Sequence, residues 1–562
     1  MRLAGMTASF DWLRPALGLR LSKALWPRFM TPKNRSGNEG RIAFSSRFHG
    51  FGRIWRTLLL VLGLLLALLP LVYLLENDRG WRAWQIERAR LLDRGEPLTW
   101  EALLPPAPPD EENLAAAPIY ALLFETVEQK RPNKKGRAPE EPATREAIDR
   151  VIIQLSPPGY PRRTPPLMVW KEGKTIDLEA WARHFREPEQ PEGVTARFPQ
   201  TSMTAPAASQ ILVALELYSE TFQAIETAAR RPRCRFPVRY QDLIHVALPH
   251  WEVLRNHTEA VVLRGISRLH LGDTDGAMED FSLAQRLADA LREEPLLISH
   301  LVRCATLQTV VQLAYEGMIS RRLTEEQLTA IQRQLAGVNL LFDWTTALRG
   351  DRILAIGVLE DLRHGRRSLE DIVVDGGIDP PLLSWLHTRW MPSGWFWRTM
   401  AQLSRLYQGL IEHAVDTNLR TVNESVLKRF QDSAVTSKGK PFQLVVQAST
   451  IGAIRSLERT ASAQAAIHLA CTAVALEQFR LRHDRYPETL EAMGPLTVGQ
   501  RDPFDGHWLR YRCEGADTYL LYSIGPDRMD DGGRMEHEQW NRPSGDLRWF
   551  VPARTGGDRQ KT

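Results

Sequence analysis

Cysteine is scarce in this chain. Only Cys234, Cys304, Cys471 and Cys513 occur in 562 residues, and none stands in a CxxC pair. That spacing gives a zinc ribbon no support. Catalytic signatures are missing too. There is no HExxH, no GxSxG elbow, no phosphate-cradling glycine loop and no dinucleotide fingerprint. Their absence argues against a common hydrolase or kinase and leaves a rarer enzyme open. Nor is there a basic domain. Eleven Lys and Arg residues precede position 57 against Asp11 and Glu39, and the remainder is close to balanced. A nucleic-acid partner therefore has no electrostatic footprint to rest on. With 43% hydrophobic and 25% charged residues, the chain is nevertheless composed like folded protein.

Uncharged apolar runs are rare as well, with one exception. "TLLLVLGLLLALLPLVYLL", residues 57–75, holds nineteen residues without a charge. At about 1.5 Å per residue it spans a hydrocarbon core of roughly 30 Å. Pro70 is tolerable in such a helix, and Trp55 and Tyr73 fall where interfacial aromatics belong. A cleaved signal peptide is the alternative, but the run starts far from residue 1 and no small-x-small site follows. The basic flank then places the N-terminus in the cytoplasm and residues 76–562 across the membrane. Initiation at Met30 would shorten the tail and keep this topology.

Beyond the span, helix signals dominate. Residues 76–145 combine an amphipathic segment with a Pro-rich linker, including "PPAPPDEENLAAAP". The turn Glu172-Gly173-Lys174 could join two short strands. From about 205 to 365 apolar residues recur at three-four spacing. "TEAVVLRGISRLHLGDTDGAMEDFSLAQRLADALREE" reads as two helices split by "LGDTDG", with Asp273 or Thr274 as cap. Gly265, Ala277, Phe281 and Ala284 sit at tetratricopeptide-like spacings, without that repeat's Trp/Leu and Pro positions. "LTEEQL" (323–328) is a capping box built on Thr324 and Gln327. His250 and His257, seven apart in "HWEVLRNH", read as an ordinary polar face. The acidic pairs in "DEE" (110–112) and "EE" (293–294) read as solvated faces and caps.

The C-terminal part has its own order. A long helical pattern covers 446–484, and "RYPETLEAM" stops it at Pro487. "RDPFDG" (501–506) is a tight turn in which Asp502 and Asp505 form the bend. "HWLRYRC" and "TYLLYSI" alternate and are joined by "EGAD", as a hairpin should be. "YSIGPDRMDDGG" (522–533) follows.

That order resembles the globular domain of the major pseudopilin of type II secretion systems, over about residues 462–540. The resemblance implies a long helix on a small antiparallel sheet, with a calcium ion held by the acidic loop. No pilin leader motif precedes the membrane segment at 57–75, and the long helix is internal and carries Arg455, Glu458 and Arg459. Processing or polymerisation as a pilin is therefore not expected. "EEPLLISHLVR" and "PPDEEN" also look similar to large membrane-anchored bacterial proteins that bring no known activity with them.

The loop's own chemistry agrees with a cation. Calcium takes six to eight oxygens, and Asp527, Asp530 and Asp531 offer three carboxylates within five residues, with Ser523 as a further ligand. An EF-hand is rejected because Met529 occupies a ligand position and helices do not flank the loop. A solvated acidic turn that keeps a sheet edge soluble is the alternative. If Cys513 faces the long helix, it could pair with Cys471.

The expected architecture is mainly α. It comprises a basic tail (1–53), a single transmembrane helix (54–75), the linker segment (76–145), a helical domain with a partly tetratricopeptide-like hairpin (146–436), an α+β pseudopilin-like domain (442–553) and a disordered tail (554–562). The expected function is a scaffold or interaction protein of the bacterial inner membrane. It would face the extracytoplasmic side, carry a calcium-stabilised module and bind an envelope protein partner. No catalytic residue is assigned. An envelope enzyme or a peptide-capture surface, in the helical region, is the competing reading.

Overall fold

The structure is a computed structural model that describes residues 48–125, 142–155, 164–186, 198–199, 201–367, 391–436, 443–495, 498–515, 517–534 and 545–551. Most of the basic tail, part of the Pro-rich linker, the boundary expected at 437–441 and the C-terminal tail lie outside them. The described chain is mainly helical, with two small antiparallel sheets late in the sequence.

In chain order the helices are α1 (Phe48–Asp93), α2 (Trp100–Leu103), α3 (Pro118–Glu125), α4 (Pro142–Val151), α5 (Leu178–Arg186), α6 (Ala207–Leu215), α7 (Ser219–Ala229), α8 (His250–Leu271), α9 (Thr274–Asp289), α10 (Leu297–Ser320), α11 (Glu325–Ala336), α12 (Leu340–Arg363), α13 (Ser393–His413), α14 (Glu424–Thr436) and α15 (Gln443–His483). The strands are β1 (Val415–Asp416), β2 (Thr421–Val422), β3 (Arg510–Gly515), β4 (Thr518–Ser523) and β5 (Leu547–Val551). Two compact units result: Met1–Arg88 with Glu360–Ala401, and Ala89–Leu359 with Gln402–Thr562.

In the first unit α1 carries the apolar run. Among the described residues it is the one helix long and apolar enough to cross a membrane, and none of that stretch is buried. Leu60 is 74% exposed and Leu74 68%. Past the run, the helix meets the start of α13. Gly394 N donates to Asn77 Oδ1 at 2.8 Å and Arg398 pairs with Glu76 at 2.9 Å.

The second unit is built on helical hairpins. Gly272, at φ +90°, ends α8, and Asp273 caps α9 by accepting from Gly276 N. The expected capping box on Thr324 and Gln327 opens α11. Helix α10 packs on both α8 and α9, and α15 packs on α10, α11 and α14. The same α15 also carries β4 and β5. One apolar core therefore runs from Leu114 through α8–α10 and α15 to Trp549 and Val551. The helical region and the C-terminal sheet share it. A long helix buried on most of its circumference serves two layers at once.

The C-terminal sheet has the order β3-β4-β5, antiparallel throughout. Arg510 faces Tyr522 across β3–β4, and Ser523 faces Leu547 across β4–β5. Strand β5 was not apparent from the sequence pattern. The expected strands around Glu172-Gly173-Lys174 are replaced by a short 3-10 turn, Trp170–Glu172, with Gly173 at φ +69°. Helix α10 explains the difference. Gln312 Oε1 accepts from Val169 N and Trp170 N, and Glu316 Oε1 accepts from Ile176 N. A ladder partner would need those same donors.

Candidate functional site

The acidic loop starts where β4 ends, and its frame is the tight turn at 501–506. Asp502 is fully buried. Its carboxylate accepts from Phe504 N at 3.0 Å, Ser523 Oγ at 2.9 Å and Ile524 N at 2.9 Å. Burial raises its pKa, and the backbone donors of Phe504 and Ile524 partly offset that. Asp502 is thus more than a turn former, because it ties the turn to the end of β4. Asp505 keeps its local role. It accepts from His507 N and pairs with Arg510.

This bracket changes the reading of Ser523. Its hydroxyl donates to Asp502 and accepts from Gly525 N at 3.3 Å, fully buried. A side chain engaged in this way brackets the start of the loop. The sequence could not show it, because Asp502 lies twenty-one positions earlier.

The three aspartates organise the loop itself. Asp527 accepts from Met529 N at 3.2 Å and Gly545 N at 2.6 Å, closing the loop's two ends on each other. Asp530 accepts from Tyr522 Oη and Gly532 N, both at 3.0 Å. Asp531 donates its backbone N–H to Asp546 Oδ2 at 3.1 Å, and Gly533 N reaches the same oxygen at 2.7 Å. Two glycines are required here. Gly525, at φ +69°, would place a Cβ 2.2 Å from Gly545 O, and Gly533, at φ +80°, would drive one into Leu520 at 2.7 Å.

Asp546 is the residue that sequence reasoning missed. It is 2% exposed, and its Oδ1 has no hydrogen-bond partner among the described residues. Burial, with Asp530 and Asp531 nearby, pushes its carboxyl up to about 6, against two backbone donors that pull it down. The available signal was "SGDLRWF", a Gly-Asp turn before an alternating run. Only the pairing of β5 on β4 brings it beside residues 530–533.

Does a cation fit? The donor set is all oxygen, as calcium requires. The buried, unpartnered Asp546 Oδ1 among acids is an arrangement that a cation would relieve. Among the described residues, however, no three His, Cys, Asp or Glu side chains converge closely enough to hold a metal ion as they stand. Asp527, Asp530, Asp531 and Asp546 match the group in chemistry, and the Ser523 oxygen does too, with its proton on Asp502 and one lone pair on Gly525 N.

The other expected features fall elsewhere. All four cysteines are free thiols. Cys471 is buried in the core and Cys513 is half-buried on β3. His250 and His257 are fully buried rather than on a polar face. His257 Nε2 lies 2.8 Å from Val151 O and Nδ1 3.2 Å from Tyr120 Oη. Its burial lowers its pKa to about 4, so it is neutral. His250 lies 2.8 Å from Glu294 Oε2, and Trp251 and Ser299 donate to the same carboxylate. Burial alone would raise Glu294, but His250 and these donors hold it below the usual range. So "EE" at 293–294 contains a core residue, whereas Asp110, Glu111 and Glu112 are exposed as expected.

No known protein family, curated protein or solved structure matches this chain.

Proposed function

We propose that this protein is a single-pass scaffold or interaction protein of the bacterial inner membrane, with residues 76–562 on the extracytoplasmic side. The observation that carries this reading is α1. One unbroken helix holds an apolar run of membrane length, none of whose described residues is buried, and continues into residues that fold. Exposed leucines at this density cost about 25 cal/mol per Å² in water, and a bilayer removes that cost. The basic flank supports the orientation.

The same reading gives the C-terminal sheet a calcium ion, held by Asp527, Asp530, Asp531 and Asp546. Bound there, calcium would add positive charge beside Asp531 and Asp546, while Arg510 already stands 3.7 Å from Asp530. The chain's own contribution is to close the loop through Asp527 and Gly545 and to fix its start through Asp502 and Ser523. The likeness of the motif order to the major pseudopilin supports this assignment. The module would then be a rigid, cation-locked surface offered to an envelope protein.

The test uses the full chain with an affinity tag after Thr562. In spheroplasts, added protease should remove the tag while a cytoplasmic marker survives. Crosslinking in intact cells, followed by purification, should recover a specific envelope protein. A tag protected until the membrane is lysed would overturn the orientation. A purified chain with no envelope partner would overturn the scaffold role.

A further inference from the structure

We infer that the protein touches the bilayer at a second place, through an aromatic collar of Trp81, Trp395 and Trp397 in the outer headgroup layer. The inference rests on the reading that residues 57–75 span the membrane, and it adds a contact from a segment more than 300 residues away.

Helix geometry sets the depth. If the apolar run fills the hydrocarbon core, Leu75 lies at its edge. Residues 76–81 then climb through about 9 Å at ~1.5 Å per residue. The headgroup layer on one side is about 5–8 Å thick. So Glu76 to Trp81 occupy that layer and its outer rim.

The start of α13 is fixed at this same level. A Cβ on Gly394 would lie 1.9 Å from Glu76 O, and one on Gly80 would lie 2.0 Å from Gly394 O. Only two glycines allow backbones to approach so closely. Trp395 Nε1 donates to Glu76 Oε2 at 3.2 Å and Gly394 N to Asn77 Oδ1 at 2.8 Å. The indole of Trp395 is thereby tied to the first residue past the apolar run.

The aromatic rings follow. Trp397 packs edge-on against Trp81 with centroids 5.0 Å apart, and the Arg363 guanidinium stands 5.0 Å from the Trp397 ring. Trp81 remains 46% exposed. Side chains on a helix lean toward its N-terminus, which here is the membrane side. A half-exposed tryptophan leaning into a headgroup layer is where that residue gains most, because its ring is apolar and its N–H is polar.

Charge does not select the lipid. Arg79 pairs with Glu76, Arg82 with Asp78, and Arg398 with Glu76. With the charges largely matched, aromatic insertion is the driving term, and a zwitterionic bilayer suffices.

Photocrosslinking of the full chain in phosphatidylcholine nanodiscs tests this. p-Benzoylphenylalanine replaces Trp81, Trp397, Leu71 or Phe342, one at a time. Phe342 is a control because it is 50% exposed on α12 in the second unit. The expected result is lipid adducts at 71, 81 and 397, at least tenfold above those at 342. Adducts at 71 with none above background at 81 and 397 would overturn the collar while leaving the span intact. No adduct at 71 would overturn the span, and the collar with it.

Discussion

Buried carboxylates from two regions of this molecule, Glu96 and Glu294 among the helices and Asp546 in the acidic loop, are treated in opposite ways. In the helical region Glu96 is 9% exposed and Glu294 8%. Burial alone would raise both. Glu96 is held below the usual range by Arg349 and Arg352, and Glu294 by His250, Ser299 and Trp251. In the acidic loop Asp546 is 2% exposed and is pushed up to about 6. It receives only backbone N–H groups at Oδ2, and its neighbours are acids. Glu96, matched by two arginines, is complete within the chain. A buried carboxylate among other carboxylates asks for a cation or a proton.

The largest effect should come from breaking the complete case. Arg352 is fully buried and reaches Glu96 at 2.7 Å. Glu96→Ala removes the carboxylate that Arg349 and Arg352 share and should cost about 3–5 kcal/mol. Thermal melting of the purified full chain reads this loss. Calcium should not restore it, since Glu96 lies outside the loop.

The incomplete case should respond to calcium. At a free concentration near 100 times its dissociation constant, a cation bound only to the folded state adds about 2.7 kcal/mol. The full chain should melt several degrees higher in calcium than in EGTA. Asp546→Asn and Asp531→Ala should each remove most of that difference. If neither calcium nor these substitutions moves the transition, the loop is solvated trim and no metal binds.

Acidity sharpens the same contrast. Asp546 has a folded pKa near 6, above its ordinary 3.8. The folded state therefore holds this proton more tightly than the unfolded chain does. The resulting stability is full below about pH 4 and is lost as the pH rises through about 6. In EGTA the wild type should lose stability over that window relative to Asp546→Asn. Calcium should restore it at neutral pH by taking the proton's place. A pH profile identical for both proteins would show that Asp546 is not the titrating group.

Ser523 separates bracket from ligand. Ser523→Ala removes one hydrogen bond to the buried Asp502 carboxylate, whose Oδ1 keeps Phe504 N, which should cost about 1.5–3 kcal/mol for a bond to a charged group. The calcium-dependent rise should survive in this variant. A lost rise would return Ser523 to the ligand set. The smallest effect belongs to ordinary capping: Thr324→Ala should cost about 1 kcal/mol, with no calcium dependence.

Local chemistry made much of the fold legible. Uniform leucine over 57–75 marked the exposed helix. Gly272, Asp273, Thr324 and Gln327 marked helix ends, because caps act within a few residues. Alternation marked β3 and β4. The candidate site was legible only in part. Asp527 and Asp530 were visible as an acidic run. Asp546 was not, since it lies beyond residues 535–544 and becomes relevant only when β5 pairs with β4. The buried roles of Glu294, His250 and His257 were also hidden. A polar residue that finds its partner across forty or a hundred positions looks in sequence like one that faces water.

By itself, then, the sequence determined everything that depends on neighbours within about one helical turn or one strand: the membrane-length run, the caps, the hairpin and the acid-rich, glycine-rich loop. Tertiary structure decided what depends on groups far apart in the chain. It placed one core under both the helices and the sheet, through α15. It turned Ser523 into the partner of Asp502 and brought Asp546 to the aspartates of the loop. It also set Gly394 against Glu76, which puts two tryptophans of α13 beside the end of the apolar run. Burial and pairing are properties of the packed chain, and neither is written in the spacing of residues.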